Sequence, residues 1–213
     1  MAKIFVTGGS GYIGTRIIAK LLERGHAVTA LVRNGSQAKL PQQCTPCIAD
    51  VLDASTYTTA MSGHDVLVHL VGVAHPSPAK EKEFRTIDLA SVEQAIPVAK
   101  NCNVPYAVYL SVAQPAPIMK PYWQARARAE EIIRTHITRR TFIRPWYVLG
   151  PGHWWPVILK PIYAFWKLIP STRETALRLD LVTINQILLT LIHAIENPPE
   201  HERIIEAQEI KQY

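Results

Sequence analysis

The residues best suited to chemistry lie near the N-terminus, in the run Thr7, Gly8, Gly9, Ser10, Gly11, Tyr12, Ile13, Gly14. Glycines at this spacing let the backbone turn sharply and let a phosphate approach with no Cβ in the way. Residues 4–7 before the turn are β-rich. Residues 13–23 after it repeat apolar side chains at helical spacing, at Ile13, Ile17, Ile18, Leu21 and Leu22. A strand, a glycine turn and a helix start together form an anion site, because the first helical amides are free and the helix dipole is positive at that end. The expected chemistry is a grip on the pyrophosphate of a dinucleotide. Further along, Tyr122, Arg126 and Glu130 recur at four-residue steps. That spacing puts a phenol, a guanidinium and a carboxylate on one helix face.

Dinucleotide sites selective for NAD place an acid at the end of the second strand, where it holds the ribose 2′-hydroxyl. That place reads Leu31, Val32, Arg33, Asn34, with no acid. Arg33 offers a charge-assisted contact to a 2′-phosphate, so NADP is the expected cofactor and NAD the less favoured one. The plainer alternative is that Arg33 is only an exposed cation. No metal is expected. Cys44 and Cys47 form a lone CxxC, and His69, His75 and His153 have no partners at metal-ligand spacing.

The elements that must position these groups alternate. Strands are predicted over 4–7, 27–32, 46–49, 65–71, 106–110, 141–143 and 203–206, and helices over 13–23, 83–102, 122–135 and 184–195. Gly25 marks a helix end, Pro97 is expected to disturb the helix over 83–102, and the run 65–71 reads as a strand buried on both faces. This order implies an α/β fold, a doubly wound parallel sheet with ligand loops at the carboxyl ends of its strands. Residues 1–151 are read as the nucleotide-binding core, and 152–213 as a small C-terminal substrate-side segment, part of it returning to the core. Trp154 to Leu168 is crowded with aromatic and aliphatic side chains. Three uses fit it: an apolar lid, a weak membrane-surface contact, or ordinary core of the C-terminal part.

Composition narrows the classes. The chain has 213 residues, 48% hydrophobic and 19% charged, enough for a sizeable core. Its net charge is +6, but the basic residues are scattered, which favours a solvated surface over a nucleic-acid partner. Three cysteines fit a reducing compartment, and no leader or spanning run is read from the sequence, so a cytoplasmic location is expected.

The glycine pattern resembles the short-chain dehydrogenase/reductase superfamily, in the extended and atypical branches that carry TGGxGxxG. Later motifs extend the likeness over nearly the whole chain. Asp50, Val51, Leu52 and Asp53 resemble the acidic segment that contacts the adenine, although Asp50 could equally cap a helix. Leu70, Val71 and Gly72 resemble the fourth-strand end beside the cofactor, and Arg144, Pro145, Trp146, Tyr147, Val148, Leu149, Gly150, Pro151 and Gly152 resemble the RPxxVYGPG segment past the nicotinamide, with Leu149 in place of tyrosine.

The resemblance further implies that Ser111 polarises a substrate carbonyl or alcohol and that Tyr122 is the acid/base. The family's lysine is replaced by Arg126, which keeps a positive charge but cannot relay a proton. The family's asparagine on the preceding helix aligns with Asp88. Two functions stay open at this point. One is an NADP-dependent oxidoreductase, epimerase or dehydratase acting on a small carbonyl, alcohol or sugar-like substrate. The other is a non-catalytic NADP(H) sensor or structural subunit of a larger complex. The resemblance also implies a homodimer paired through the tyrosine helix.

Overall fold

A computed structural model describes residues 1–152, 166 and 169–213. Its strands are β1 (Lys3–Thr7), β2 (Ala27–Val32), β3 (Thr45–Ile48), β4 (Val66–His69), β5 (Tyr106–Leu110), β6 (Arg139–Arg144), β7 (Val148–Leu149), β8 (Val182–Thr183) and β9 (Glu202–Glu206). Its longer helices are α1 (Tyr12–Glu23), α2 (Ala90–Asn101), α3 (Lys120–His136), α4 (Pro170–Arg178) and α5 (Ile184–Glu196), followed by the short α6 (Ala207–Ile210). Seven strands form one sheet in the order β3-β2-β1-β4-β5-β6-β9, every pair parallel. This is the doubly wound arrangement expected of a Rossmann fold. β7 and β8 pair separately.

Each central strand is apolar on both faces because helices cover both. In β1, Ile4 and Val6 pack with Ile17, Ile18 and Leu21 of α1 and Ile187 and Leu191 of α5. Phe5, between them, packs the other way, with Val92 and Ile96 of α2 and Ala129 and Ile133 of α3. The two-residue period of a strand thus divides the core into two layers. Cys44 and Cys47 fall into opposite layers as free thiols. Burial pushes the Cys44 thiol up to about 11.

Several boundaries differ from the sequence expectation. The fourth strand stops at His69, and Leu70 and Val71 leave the sheet toward the cavities described below. α2 runs through Pro97, which removes only one internal hydrogen bond. The disturbance lies upstream, where Phe84–Leu89 form a π-helical segment. The strand pair β7–β8 and helix α4 are additional to the elements predicted from the sequence. Of the C-terminal segment, β9 completes the sheet and α5 fills one core layer. Helix α5 starts on a capping box, with Thr183 and Gln186 each satisfying the other's backbone amide. The aromatic stretch over 154–168 lies outside the described residues except for Trp166, which is exposed. Among the described residues no helix is long and apolar enough to cross a membrane.

Candidate nucleotide-binding and catalytic site

β1 is flanked by β2 on one side and β4 on the other, so the chain changes direction across the sheet at β1. A crevice opens at such a switch point, at the carboxyl ends of the strands. The glycine turn sits there. Gly8 has φ +74°, and a Cβ on it would lie 3.0 Å from the Leu70 carbonyl carbon. A Cβ on Gly14 would run into the carbonyl oxygens of Gly8 and Gly9, and one on Gly9 would sit 2.8 Å from the Ala30 Cβ. The turn is closed by the Gly11 amide donating to the Gly8 carbonyl at 3.0 Å. Helix α1 then starts, and the amides of its first turn have no partner within the helix.

Two adjoining cavities meet at this turn and share Gly8, Gly11, Leu70, Gly72, Val73 and Ala74. One, of about 500 Å³, reaches Ser10, Arg33, Asp50, Val51 and Val71. The other, of about 330 Å³, reaches Tyr12, Ile13, Gly14, Ser111, Tyr122, Arg126, Pro145, Trp146 and Val148. Most residues expected to touch the cofactor or substrate therefore border one of these two cavities. Asp53, Arg144 and the run from Leu149 to Gly152 line neither, and three further residues stand back from them. Thr7 is fully buried and bonds the His69 ring at 2.9 Å. Gly9 packs under the turn, and Tyr147 lies against Trp146 at a ring-centroid distance of 5.9 Å.

At the first end, Arg33 is exposed, and its guanidinium has no hydrogen-bond or ion-pair partner among the described residues. Asp50 accepts from the Leu52 amide at 3.0 Å, which turns the loop beneath it.

At the other end, the arrangement of Ser111 departs from expectation. Ser111 is buried, and its hydroxyl donates to Glu130 at 2.6 Å. Its proton is directed away from a ligand, so it meets the cavity as an acceptor rather than as the expected polarising donor. Glu130 is fully buried. It also accepts from Gln114 at 2.7 Å, from Arg144 Nε at 2.9 Å and Nη2 at 2.5 Å, and from Arg134 at 3.2 Å. The helical spacing of Tyr122, Arg126 and Glu130 signals that Glu130 faces inward. Its partners on β6 and after β5 are brought only by the sheet.

Arg126 is also committed. Its Nη2 lies 3.0 Å from Asp88 Oδ2, and Nη1 donates to the Val71 and Leu110 carbonyls at 3.3 and 3.1 Å and to the Tyr109 hydroxyl at 3.2 Å. The guanidinium fills the space beside Gly72, where a Cβ would strike Nη2. Burial works against its charge, but Tyr109, Tyr122 and Asp88 outweigh it and hold Arg126 above the ordinary arginine range. Tyr122 packs on Phe84 at 4.9 Å, with the Arg126 guanidinium carbon 5.5 Å from its ring centroid. Burial pushes the Tyr122 phenol above its ordinary value, against the opposing pull of Arg126. His69 bridges Thr7 and Ser91, and burial drives its pKa down to about 3, so it is a neutral structural histidine.

A parallel seven-stranded sheet with a glycine turn and a groove at its switch point defines a dinucleotide-binding Rossmann protein. The sequence model of a family described as NAD(P)H-binding matches residues 8–151, and the chain belongs to that family. It is 31% identical over 111 residues to a 4-hydroxy-2-methyl-3-oxo-4-farnesyl-3,4-dihydroquinoline-1-oxide ketoreductase of Stigmatella aurantiaca, covering 51% of this chain and 33% of that protein. It is 32% identical over 73 residues to a 3-beta-hydroxysteroid dehydrogenase of Mycolicibacterium neoaurum, covering 34% of this chain and 20% of that protein. The matched stretches thus span a third or less of these curated relatives. Among solved structures, the Bordetella bronchiseptica enzyme WbmH in complex with NAD+ superimposes with TM-score 0.72 at 20% identity, covering 97% of this chain and 76% of that one. The UDP-glucose 4-epimerase of Thermus thermophilus in complex with NAD gives 0.68 at 16%, covering 99% and 81%.

Proposed function

We propose that this protein is an NADP(H)-dependent oxidoreductase acting on a small carbonyl, alcohol or sugar-like substrate. The observation that carries this reading is the pair of adjoining cavities that meet at the glycine turn, one reaching an uncommitted cation, Arg33, and the other reaching Tyr122 and Ser111. The residues present fit the cofactor. Gly8 and Gly14 let the turn pack against the Leu70 backbone and against its own carbonyls, and the first amides of α1 have no partner within the helix and are available to a phosphate. Arg33 takes the 2′-phosphate, Asp50 the adenosine end, and the segment from Pro145 to Val148 the nicotinamide end. When bound, the cofactor supplies or takes up a hydride. Tyr122, kept in its acid form by burial, gives its phenolic proton to the substrate oxygen in the reducing direction. Ser111 accepts a hydrogen bond from the hydroxyl that results.

A specific observation favours the second reading, a non-catalytic NADP(H) sensor or structural subunit. Arg126 is tied to Asp88 and to two strand-end carbonyls, so it has little capacity left for a substrate or ribose. Calorimetric titration with NADP, NADPH, NAD and NADH tests the cofactor assignment, and tighter binding of NAD than of NADP would sink it. Reduction of a carbonyl panel with NADPH, alongside Tyr122→Phe, separates the two functions. Loss of turnover with retained NADPH binding in Tyr122→Phe supports the enzyme. NADPH binding with no turnover by the parent chain supports the sensor.

A further inference from the structure

Tyr122 has a cation on its own helix, yet that cation does not act on it alone. The Arg126 guanidinium carbon lies 5.5 Å from the Tyr122 ring centroid, and the fully buried Asp88 lies 3.0 Å from Arg126 Nη2. An arginine does not surrender its proton in a protein, so a buried guanidinium requires a counter-charge. Asp88 is placed to supply it. It projects from the π-helical segment Phe84–Leu89, the kind of irregularity that re-aims side chains at functional sites. Its Oδ1 accepts from the Val73 amide at 2.7 Å, which fixes the carboxylate against the wall of the groove. The phenol therefore faces a closed ion pair, whose field falls off faster than that of a lone cation.

We propose that Asp88 is a positioning residue that sets the working form of Tyr122: by neutralising Arg126 it keeps the phenol protonated, so the site is built to donate a proton rather than to remove one. This rests on the reading of Tyr122 as the acid/base, but its test needs neither cofactor nor turnover. Among the described residues, the titratable and charged groups around Tyr122 and its ion pair are Arg126 on its own helix, Asp88 and Glu83 from the helical segment before α2, Tyr109 on β5, His69 on β4, and His75, which lines the same cavity. Burial holds Tyr109 protonated and His69 neutral, so the Arg126–Asp88 pair is the main charge acting on Tyr122, beside the burial that already raises the phenol. Phe84, Val73 and Met119 supply the apolar remainder.

The experiment is an ultraviolet titration of phenol ionisation. The chain has 8 tyrosines, so the Tyr122 signal is isolated as the difference from Tyr122→Phe. In the parent chain Tyr122 should titrate above the ordinary tyrosine value of about 10. Asp88→Asn keeps an acceptor for the Val73 amide and removes the charge. Tyr122 should then titrate lower by roughly 1–3 pH units, the effect of an opposite charge within about 4–6 Å. If Asp88→Asn does not fold, the double variant Asp88→Asn/Arg126→Lys keeps a smaller cation beside an amide and should show the same fall. A parent-chain Tyr122 titrating below about 10 would overturn the proposal. So would a Tyr122 value unchanged or raised in whichever variant folds. If instead the titration follows expectation but no nicotinamide cofactor binds, the oxidoreductase reading fails while the role of Asp88 stands.

Discussion

Replacing Glu130 by Gln tests how much of the site's architecture hangs on one buried carboxylate. Glu130 is fully buried and takes hydrogen bonds from Ser111, Gln114, Arg134 and, through two nitrogens, Arg144. Glutamine keeps the shape but removes the charge and turns one acceptor into a donor. Arg144, only 13% exposed, is then left with Glu206 at 3.6 Å, itself 42% exposed. Removing one partner of a buried ion pair costs about 3–5 kcal/mol. Arg134 adds little, because it is 32% exposed and keeps Glu202 at 2.8 Å. For a chain of this length the loss corresponds to a fall in Tm of about 6–20 °C, and it is a large share of a typical stability of about 5–15 kcal/mol. The control is Arg128→Ala. Its pair with Glu131 is 64% and 57% exposed and contributes at most about 1 kcal/mol. Guanidinium unfolding followed by circular dichroism compares the two. A Glu130→Gln loss under about 1 kcal/mol would refute the reasoning, since it would mean that water or a conformational shift readily compensates Arg144.

Other perturbations read other parts of the molecule. Gly14→Ala places a Cβ against the backbone of Gly8 and Gly9, so the turn must open; NADPH affinity should drop at least about tenfold, at a stability cost of about 1–3 kcal/mol, by calorimetry and thermal unfolding. Arg33→Ala should weaken NADP about tenfold, the low end for a charge-assisted contact because Arg33 is exposed, and leave NAD unchanged. Equal losses for both cofactors would remove Arg33 from the 2′-phosphate site. His69 stays neutral in the folded chain down to about pH 3, whereas the unfolded chain binds its proton near the ordinary histidine value of about 6.5. Its contribution is thus intact above about pH 6.5 and is lost as pH falls through the window toward 3, at about 1.4 kcal/mol per pH unit, or about 2 kcal/mol by pH 5. Unfolding at a series of pH values should show this acid slope flatten in His69→Gln; an unchanged slope would count against a buried neutral imidazole.

Much of this protein is legible along the chain because its information is local. The glycine turn is written in eight consecutive residues, and their backbone demands hold in any context: Gly8 adopts a left-handed φ, and Gly14 must pass close to the turn's carbonyls. The alternation of apolar strands with amphipathic helices set the parallel sheet, since two-sided burial leaves no polar face to read otherwise. The four-residue steps from Tyr122 to Glu130 placed three functional groups on one helix face. Local patterning also has limits. The apolar run over 65–71 is longer than the strand it contains, because apolar residues lining a cavity, such as Leu70 and Val71, look the same along the chain as residues inside a sheet. The disturbance that Pro97 predicts is absent at Pro97, and the irregularity lies in the π-helical segment before α2. Tertiary structure alone decided the partners of the charged groups. Asp88 meets Arg126 across 38 residues of chain, and Arg144 and Gln114 meet Glu130 from a different strand and loop. Residue types told which groups could be acids, bases or cations. Which of them are free to act depended on distances of about 3 Å between distant segments, a scale at which a hydrogen bond is made or lost and which no spacing along the sequence encodes.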